Sequence, residues 1–528
     1  MLRALLLTLA WAVVGSSVRW WPSTAPRTAN GEDEPIHGAA LALDRGREQQ
    51  STGQRSAEPR VRLLLRRARE LRPPAVLMAS RRPQAERELG LGAEAQLTEE
   101  EQAAEAAPAA EEEAPERVPR RRRRMARVKM EGLMEDVVPD VQRSRKKRIL
   151  MLISDTGGGH RASAQAMESM LEQVAPGSTD VRIVDVWTDY CPWPFNGFVP
   201  SYQFMAKHPW MWKLSWWSSA TFPMRQILEV GSRIGCTRQF RRCIDDHEPD
   251  LVVSIHPLTQ QIPLQVLAQK GGGRRKVPFV TVCTDLGSAH PWWFNPKADM
   301  AFVPSDAVRT VARQRGLRKE QIRQYGLPVR PSFWQTPRKR SQLVNELGLE
   351  SDRKTILVVG GGDGVGSLGK IVEATAEELG RECPGGAQVV AVCGKNRKLR
   401  SRLESIQFNN VNVQVCGFVK QMSDYMEVAD VIVTKAGPGT IAEATIRGLP
   451  TMLSSYLPGQ EAGNVPFVVE SGFGEYSKDP RQIARTVTGW VQDPQKLAQL
   501  SSAARDAGAP TATQEICVDL LTMLDEAA

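Results

Sequence analysis

The chain has 528 residues, enough for two or three domains that each bury a core. Its net charge of +9 is unevenly distributed, because arginine is dense between residues 45 and 148. The eight cysteines are scattered without C-x-x-C or metal-ligand spacing, and several lie in apolar runs. This pattern argues against a disulfide scaffold and favours reduced cysteines in the core.

The N-terminal part of the chain carries targeting and linker signals. Residues 1–17 combine Arg3, an apolar run and small residues, which is the pattern of a signal peptide; the run is too short to predict a membrane span. Residues 18–146 are rich in Arg, Ala and Pro and poor in aromatics, which predicts disorder. A signal peptide before an Arg-rich stretch is typical of plastid import, although the Glu-rich block at 99–116 departs from it. Secretion is the alternative.

Two basic runs, Arg120–Arg124 and Arg143–Arg148, account for much of the charge in this extension. They are compatible with a solvated linker. They are equally compatible with attraction to anionic lipid, which contributes about 1 kcal/mol per basic residue near such a surface. No recognised nucleic-acid-binding module surrounds them, so we expect no nucleic-acid partner.

From Lys147 onward, short apolar runs alternate with helical stretches. Continuous β-branched runs of this length predict parallel sheets covered on both faces. A polar segment at 334–353 divides the runs into two sets, so we expect two Rossmann-like domains with this linker at or near the hinge. The runs are 149–153, 181–186, 251–255, 279–283 and 300–303, then 356–359, 389–393, 411–415, 431–433 and 450–453.

Two segments join an apolar run to a helical pattern through a glycine-containing turn. They are Arg148–Ser163 (RILMLISDTGGGHRAS) and Thr434–Ala444 (TKAGPGTIAEA). Such a junction leaves unpaired N–H groups at a helix N-terminus, where a phosphate or another anion binds well. Active sites of open α/β sheets lie beyond the carboxyl ends of the strands, so we expect the two junctions to face each other across a cleft. This indicates a nucleotide-using enzyme.

A dinucleotide-dependent oxidoreductase is the alternative from a different class. The glycines of 157–162 and 364–369 fit the spacing of such a site. That site also needs a carboxylate at the end of the next strand to hold the ribose. The strand after the second loop ends in Cys393-Gly394-Lys395 without one, whereas Asp185 could serve the first. Binding of NAD(H) or of UDP would separate the two classes.

Five sequence motifs stand out in the catalytic body: SDTGGGHRAS, GLPVRP (326–331), VVGGGDG (358–364), TKAGPGTIAEATIRGLP (434–450) and GQEAGNVPFVVESGFG (459–474). Together they resemble the monogalactosyldiacylglycerol synthase family, a plastid group within the lipid and peptidoglycan-precursor glycosyltransferases. The resemblance covers roughly 147–525 and none of the N-terminal extension. It implies an α/β fold of the GT-B type, with an acceptor domain at 147–333 and a UDP-sugar-binding domain at 354–528. The final helical pattern is expected to cross back to the first domain.

The resemblance also implies a reaction. Galactose would pass from UDP-galactose to the free hydroxyl of 1,2-diacylglycerol with inversion, giving a β-galactolipid at a plastid membrane. It implies no cofactor and no bound metal, in keeping with the absence of D-x-D from the catalytic body. The nearest alternative is a sister enzyme that uses UDP-glucose or another lipid acceptor. A catalytically inactive lipid-binding protein is a third, against which the presence of His160 and Glu461 argues.

The first glycine junction carries the predicted catalytic residues. An attacking hydroxyl must lose its proton, so the reaction requires a base. His160 stands at a helix N-terminus, where the dipole disfavours imidazolium, and would be available as neutral imidazole. Capping the helix or binding a phosphate is the alternative role. The nearby side chains that could orient His160 or cap the helix are Asp155, Arg161 and Ser163. The phosphate or acceptor loop is Gly157, Gly158, Gly159 and Arg161.

The second junction carries the predicted donor site. Its turn, Gly437-Pro438-Gly439-Thr440, would cradle the diphosphate, and Pro438 costs little at a first-turn position. By the resemblance, Glu461 accepts hydrogen bonds from the ribose hydroxyls. The remaining predicted donor residues are Lys435 for charge, Gln460 and Asn464 near the sugar or phosphate, Phe418 near the uracil, and Gly361.

An aromatic segment indicates how a lipid substrate would be reached. Six of the thirteen tryptophans lie between Trp187 and Trp217, interrupted by prolines and polar residues. Aromatic rings with basic neighbours favour the headgroup boundary of a membrane, and an aromatic core cluster is the alternative. His256 is predicted to be structural, and the oligomeric state stays open. Five arginines that suit anionic lipid follow at 225, 233, 238, 241 and 242. The predicted membrane or acceptor contacts are Trp193, Trp212, Trp216, Trp217 and Trp292.

Overall fold

The computed structural model describes residues 145–206, 208–221, 224–273, 275–360 and 367–527. The signal-like segment 1–17, nearly all of the predicted extension 18–146 and the predicted donor residue Gly361 lie outside this described part.

Six parallel strands form the first sheet: β1 (Lys147–Ile153), β2 (Thr179–Asp185), β3 (Leu251–Ser254), β4 (Phe279–Val282), β5 (Met300–Val303) and β6 (Ile322–Gln324). Their order is β2-β1-β3-β4-β5-β6. Strand β1 is central: Ile149 lies opposite Val181 on one side and Leu251 on the other. Its residues from Ile149 to Ile153 are fully buried, as a sheet covered on both faces requires.

Nine helices precede the second sheet within the described residues, and the last of them packs its Leu343 and Val344 in the core of that second sheet. Four of them lie between β2 and β3 and contain the aromatic segment. The helices are α1 (Gly158–Val174), α2 (Val186–Asp189), α3 (Phe198–Ala206), α4 (Pro209–Ala220), α5 (Met224–His247), α6 (Gln261–Lys270), α7 (Asp306–Gln314), α8 (Pro331–Trp334) and α9 (Arg340–Glu346). Helix α9 occupies the middle of the segment 334–353 that was predicted to link the domains.

The second sheet repeats this plan: β7 (Lys354–Val359), β8 (Ala387–Val392), β9 (Asn412–Cys416), β10 (Val431–Lys435), β11 (Thr451–Ser455) and β12 (Gly474–Tyr476). The strands are parallel, in the order β12-β11-β10-β7-β8-β9. The helices are α10 (Leu368–Glu382), α11 (Arg397–Glu404), α12 (Met422–Val428), α13 (Pro438–Arg447), α14 (Asn464–Glu470), α15 (Pro480–Gln492), α16 (Pro494–Ala507) and α17 (Ala512–Glu526). Two doubly wound parallel sheets confirm the predicted α/β architecture of the GT-B type.

Helix α17 leaves the second sheet and packs on α1 of the first. The Cys517 thiol donates to the carbonyl of Met167 over 3.5 Å, and Leu520 lies in the same apolar cluster as Met167. Where the chain crosses back, the Thr513 hydroxyl accepts from the N–H of Val329 and donates to its carbonyl, each at 2.9 Å. The segment around Val329 and the start of α17 therefore run side by side. The final helix crosses back to the first sheet, as the sequence predicts.

A search of the described helices finds none with both the length and the apolar character needed to cross a membrane.

Candidate active site

The first glycine junction presents open backbone at the start of α1. Gly157 is the N-cap in extended conformation, and no side chain caps the helix. A Cβ on any of the three glycines 157–159 would have no neighbour within 4 Å. The helix start is therefore exposed and has no side-chain cap, as an anion- or acceptor-binding loop requires.

His160 is a buried, neutral imidazole. Its Nδ1 is hydrogen-bonded to the Thr284 hydroxyl at 2.9 Å, and its ring meets that of His256 edge-on at 4.8 Å. Burial lowers the pKa of His160 to about 4, against the opposing effects of a hydrogen bond to the backbone of Ile255 and the charge of Asp155. An imidazole with this pKa is neutral near pH 7, and the cause is desolvation rather than the helix dipole invoked from the sequence.

Asp155 pairs with Arg161 and makes no described hydrogen bond to His160. Its two carboxylate oxygens accept from Nε and Nη2 of Arg161 at 2.8 and 2.6 Å, and its own N–H donates to Asp185. The pair raises the pKa of Arg161 through that hydrogen bond. Asp155 thus orients Arg161, and acts on His160 through its charge.

Two further polar residues of this region have structural partners. The Ser163 hydroxyl donates to the carbonyl of Pro328, and both lie in the interior. His256 accepts from the N–H of Leu258 through Nδ1 and caps the short turn that follows β3. His256 therefore has the structural role that the sequence predicted.

The second glycine junction has the same geometry with Pro438 at the first helical position. Gly437 is the N-cap of α13 without a side-chain cap, so the N–H groups of Gly439 and Thr440 are left at the helix start. Gly439 is exposed and has no neighbour within 4 Å of a Cβ. This end of the second sheet offers free donors and a positive helix dipole to an anion.

A buried carboxylate and a lysine flank that turn. The Lys435 ammonium is paired with Oε1 of Glu461, whose Oε2 accepts from the N–H of Leu457 at 2.8 Å. Glu461 is buried, whereas the Lys435 side chain is 45% exposed. A Cβ on Gly437 would lie 3.5 Å from the ammonium, so Lys435 adds a positive charge beside the turn.

Asn464 bridges the two sheets. Its Nδ2 donates to the carbonyl of Ala436, and its Oδ1 accepts from the N–H of Gly287 on the first sheet's β4–β5 loop, at 2.8 and 2.7 Å. A Cβ on Gly287 would overlap the carbonyl oxygen of Gly463. The carboxyl edges of the two sheets thus meet backbone to backbone, and Asn464 holds that contact.

Asp285 is a functional candidate that the sequence analysis did not single out. It is buried on the loop after β4, where Oδ2 accepts from Trp293 Nε1 at 2.7 Å and from the N–H of His290 at 3.4 Å. Burial raises the pKa of Asp285 to about 7 against those two hydrogen bonds, and the charge of Glu461 raises it further. The available signal was an acidic residue three positions after the buried strand β4, which ends at Val282.

The side chains of the aromatic segment fall into two groups, one that points inward and one that points outward. Tyr202 of α3 donates to Oε1 of Gln460 at 3.2 Å, and a Cβ on Gly459 would overlap the ring of Trp216. Inward-facing rings therefore touch the GQEAGN turn (Gly459–Asn464). Trp212 is also buried, and Trp292 is partly buried against His290. Trp193 and Trp217 instead expose 64% and 60% of their surface.

Phe418 follows β9 at the carboxyl edge of the second sheet and is 64% exposed. An exposed aromatic ring at this edge is a suitable surface for a nucleobase to stack on. The predicted contact of Phe418 with uracil stays a proposal.

Comparison with known proteins identifies the family. The monogalactosyldiacylglycerol (MGDG) synthase family matches residues 160–329, and the glycosyltransferase family 28 C-terminal domain matches residues 355–516. Monogalactosyldiacylglycerol synthase 1, chloroplastic, of Arabidopsis thaliana is 42% identical over 364 residues, which is 69% of this chain and 68% of that protein. The chain belongs to the monogalactosyldiacylglycerol synthase family. The chloroplastic synthase of Spinacia oleracea is 40% identical over 74% of this chain and 75% of its own length.

Membership of the synthase family excludes the oxidoreductase alternative, and the geometry agrees. Asp185, the carboxylate that could have held a ribose, accepts from the N–H of Asp155 and from the N–H and hydroxyl of Thr188. It is a buried helix cap. Within the described part of the synthase chain, no group of three or more His, Cys, Asp or Glu side chains is arranged to hold a metal ion.

Proposed function

We propose that this chain transfers galactose from UDP-galactose to the free hydroxyl of 1,2-diacylglycerol, with inversion, and so makes a β-galactolipid at a chloroplast membrane. The observation that carries the proposal is the family match on both sheets: a galactolipid-synthase family on the first and a glycosyltransferase domain on the second. The relatives are named chloroplastic monogalactosyldiacylglycerol synthases. Chloroplast location and peripheral membrane association follow from that membership.

The diphosphate of the donor binds at the second junction. The uncapped N–H groups of Gly439 and Thr440 lie at the positive end of α13, and the Lys435 ammonium is adjacent. As the bond to UDP breaks, negative charge grows on the β-phosphate, and preorganised donors stabilise it without reorganisation. We therefore expect the reaction to need no bound metal or cofactor.

The ribose and the uracil of the donor bind to residues on either side of that turn. Glu461 is held by Lys435 and by the N–H of Leu457, and a carboxylate has further lone pairs for the two ribose hydroxyls. Phe418 supplies an exposed ring beside the uracil. Gln460 and Asn464 hold the GQEAGN turn against the first sheet. Their contact with the sugar itself stays a prediction.

The acceptor is a membrane lipid, and the first sheet carries a surface for it. Of the ten exposed large hydrophobic side chains among the described residues, eight lie between residues 193 and 234. This concentration of exposed apolar side chains in one stretch of the chain makes that stretch the candidate interaction surface. The eight side chains, named here the apolar patch, are Trp193, Phe204, Trp210, Leu214, Trp217, Ile227, Val230 and Ile234.

Basic side chains accompany the apolar patch on α5. Arg233, Arg238 and Arg242 are exposed on the helix that carries Ile227 and Ile234. Tryptophan rings with neighbouring cations are suited to the headgroup region, and the cations attract anionic lipid. We therefore expect the surface to bind anionic membranes more strongly than neutral ones.

Inversion requires attack on the sugar from the face opposite UDP, with a base to take the proton of the acceptor hydroxyl. The sequence-based hypothesis names His160, with Asp155 acting on it through charge. That assignment stays a prediction, and the exposed glycines 157–159 beside His160 leave room for an acceptor headgroup.

The function is tested by product formation. The full chain is incubated with diacylglycerol vesicles and either UDP-galactose or UDP-glucose, without divalent metal, and the lipid product is analysed. A β-galactolipid from UDP-galactose alone is the expected result. Glucosyl transfer would move the chain to a sister activity with the same fold, and tight UDP binding without transfer to lipid would refute the acceptor assignment.

A further inference from the structure

The Thr284 hydroxyl is the side-chain partner of the His160 imidazole. Its Oγ1 lies 2.9 Å from Nδ1 of the ring, and among the described side chains no other hydrogen bond to the ring is found. Both side chains are buried, so the bond is shielded from water. The backbone of Ile255 also hydrogen-bonds to the ring and raises its pKa, which favours protonation of the imidazole. Thr284 is therefore the side chain that can orient the ring.

The other polar side chains around the ring have partners of their own. Both carboxylate oxygens of Asp155 accept from Arg161, so Asp155 is not available to orient the imidazole. Nδ1 of His256, whose ring centroid lies 4.8 Å away, accepts from a backbone N–H. Trp293, with its ring centroid at 5.9 Å, donates its Nε1–H to Asp285. These two rings pack against the imidazole and leave its polar orientation to Thr284.

Thr284 follows the end of β4, on a loop that is held by several hydrogen bonds. The neighbouring Asp285 carboxylate accepts from Trp293 Nε1 at 2.7 Å. The N–H of Gly287 donates to Asn464 of α14 at 2.7 Å, which ties the loop to the proposed donor site. Threonine is also β-branched, so its side chain has few rotamers. The loop therefore fixes the hydroxyl, and through it the imidazole, relative to the donor.

We propose that Thr284 is a positioning residue for galactosyl transfer: its hydroxyl accepts from Nδ1–H of His160 and so keeps Nε2 free of a proton. Nε2 is then the atom that takes the proton of the acceptor hydroxyl. This role rests on the proposed function, with His160 as its base. A neutral imidazole carries one proton, and the hydrogen-bond partner of a ring nitrogen decides which nitrogen holds it.

The transfer step uses both nitrogens of the ring. The acceptor oxygen bonds to C1 of galactose while its proton passes to Nε2. The bond from C1 to the β-phosphate oxygen breaks, and its electron pair leaves with UDP. The imidazole becomes a cation, so Nδ1–H becomes a stronger donor and its bond to Thr284 stabilises the charged ring that burial disfavours. Nε2 then gives the proton to water, and the ring returns to its neutral form.

The first test separates the hydroxyl from the shape of the side chain. Thr284→Val keeps the shape and loses the hydroxyl, whereas Thr284→Ser keeps the hydroxyl. Both are compared with the unmodified full chain on diacylglycerol vesicles with UDP-galactose. Thr284→Val should lower kcat about 10–100-fold, part of the roughly 10²–10⁴-fold that a general base contributes, and leave UDP affinity within about threefold. Thr284→Ser should keep kcat within about threefold of the unmodified chain.

Thr281→Val is the matched control. Thr281 is 1% exposed on β4, and its hydroxyl donates to Oε1 of Gln260 at 2.8 Å. The variant removes a buried, hydrogen-bonded hydroxyl from the same segment, but one without a hydrogen bond to His160. It should lose stability to a similar extent as Thr284→Val and keep the kcat of the unmodified chain. A merely structural role for Thr284 would give the two valine variants the same kcat.

A second test observes the ring directly and does not need turnover. NMR spectra of the chain labelled with nitrogen-15 in its six histidines distinguish Nδ1–H from Nε2–H imidazole, and His160→Gln assigns the signals of His160. The unmodified chain and Thr284→Ser should hold the proton on Nδ1. Thr284→Val should shift it toward Nε2, because the buried Nδ1–H has lost its hydroxyl acceptor.

Three results would overturn the role of Thr284. They are a Thr284→Val chain that keeps its kcat, an equal loss of kcat in Thr281→Val, and a proton on Nε2 of His160 in the unmodified chain. If Thr284→Val does not fold, the spectrum of the unmodified chain decides. An unmodified chain that holds the proton on Nδ1 and makes no galactolipid refutes the proposed function instead, while the hydrogen bond itself stands.

Discussion

The first unit, built on strands β1–β6, and the second unit, built on strands β7–β12, share one sheet plan and present very different surfaces. Between β2 and β3 the first unit has four helices, and eight of its exposed side chains there form the apolar patch. Between β8 and β10 the second unit has α11, β9 and α12, and within that described stretch Phe418 is the exposed large hydrophobic residue. One framework can thus carry different surfaces through the content of its loops, and we propose that the first serves lipid contact and the second nucleotide contact.

The aromatic helices themselves show the same division at shorter range. Trp212 and Trp217 lie on one helix, five residues apart, yet Trp212 is buried against Tyr202 and Trp217 is exposed. Inward rings couple the helices to the GQEAGN turn, and outward rings are left for a membrane. The core alternative is therefore correct for Trp212 and Trp216, which were predicted to be membrane or acceptor contacts, and membrane contact stays a prediction for the outward rings.

The largest expected effect is on folding. Trp212→Ala removes a buried ring and should lower the free energy of unfolding by about 3–5 kcal/mol, measured by urea titration. Trp217→Ala on the same helix is the matched control and should stay within about 0.5 kcal/mol. Equal losses for the two variants would contradict the division into inward and outward rings.

The next effect is on the contact between the units. Gly287→Ala places a methyl group on the carbonyl of Gly463, so the two carboxyl edges must separate. A displacement of about 1 Å at a site of this kind costs roughly 10²-fold in rate, and we expect that loss in kcat without a matching fall in UDP affinity. Gly489→Ala, on a helix with open space around it, is the control. Full activity in Gly287→Ala would show that the contact does not serve catalysis.

A smaller effect should be confined to the nucleotide. Glu461→Ala should weaken UDP binding by about 1–3 kcal/mol through lost ribose hydrogen bonds, measured by titration calorimetry. Vesicle binding should not change. Glu475→Ala, an exposed carboxylate on β12, controls for loss of charge. Unchanged affinity in Glu461→Ala would remove this residue from the donor site.

The smallest effect should be confined to the membrane. Trp210→Ser and Trp217→Ser should each weaken partitioning into anionic vesicles by about 1.5 kcal/mol, the low end for burial of a large apolar side chain. UDP affinity should be preserved. Phe418→Ser is the reciprocal case, with weaker UDP binding and unchanged partitioning. If the Trp and Phe variants affect both measurements alike, the two surfaces are not separate.

The ten apolar runs expected from the sequence correspond to ten of the twelve strands, with ends that differ by a few residues. The two that were missed, β6 (Ile322–Gln324) and β12 (Gly474–Tyr476), are three-residue strands at the edges of their sheets. An edge strand is covered less than a central one, so it needs no continuous apolar run and leaves no strong signal. Strand prediction failed where burial was partial.

The candidate site was predictable in its position and less so in its contacts. The glycine junctions and His160 could be identified from the sequence, because a strand, a turn and a helix start are encoded within about fifteen residues. The pairing of Asp155 with Arg161 could not be predicted, since a contact between side chains six positions apart depends on the path of the folded loop. Asp285 was missed because its partners, Trp293 and Gln460, come from separate segments.

By itself the sequence determined two parallel sheets, two glycine turns beyond their carboxyl ends and the family to which the chain belongs. Apolar runs, glycine turns and motif spacing act over short distances along the chain, so they can be read without a fold. The tertiary structure alone decided which tryptophans face outward, that Asn464 joins the units and that Asp285 is buried beside them. Those outcomes depend on contacts such as Gly287 with Asn464 and Tyr202 with Gln460, between residues 177 and 258 positions apart. Burial and desolvation arise only when such distant segments meet.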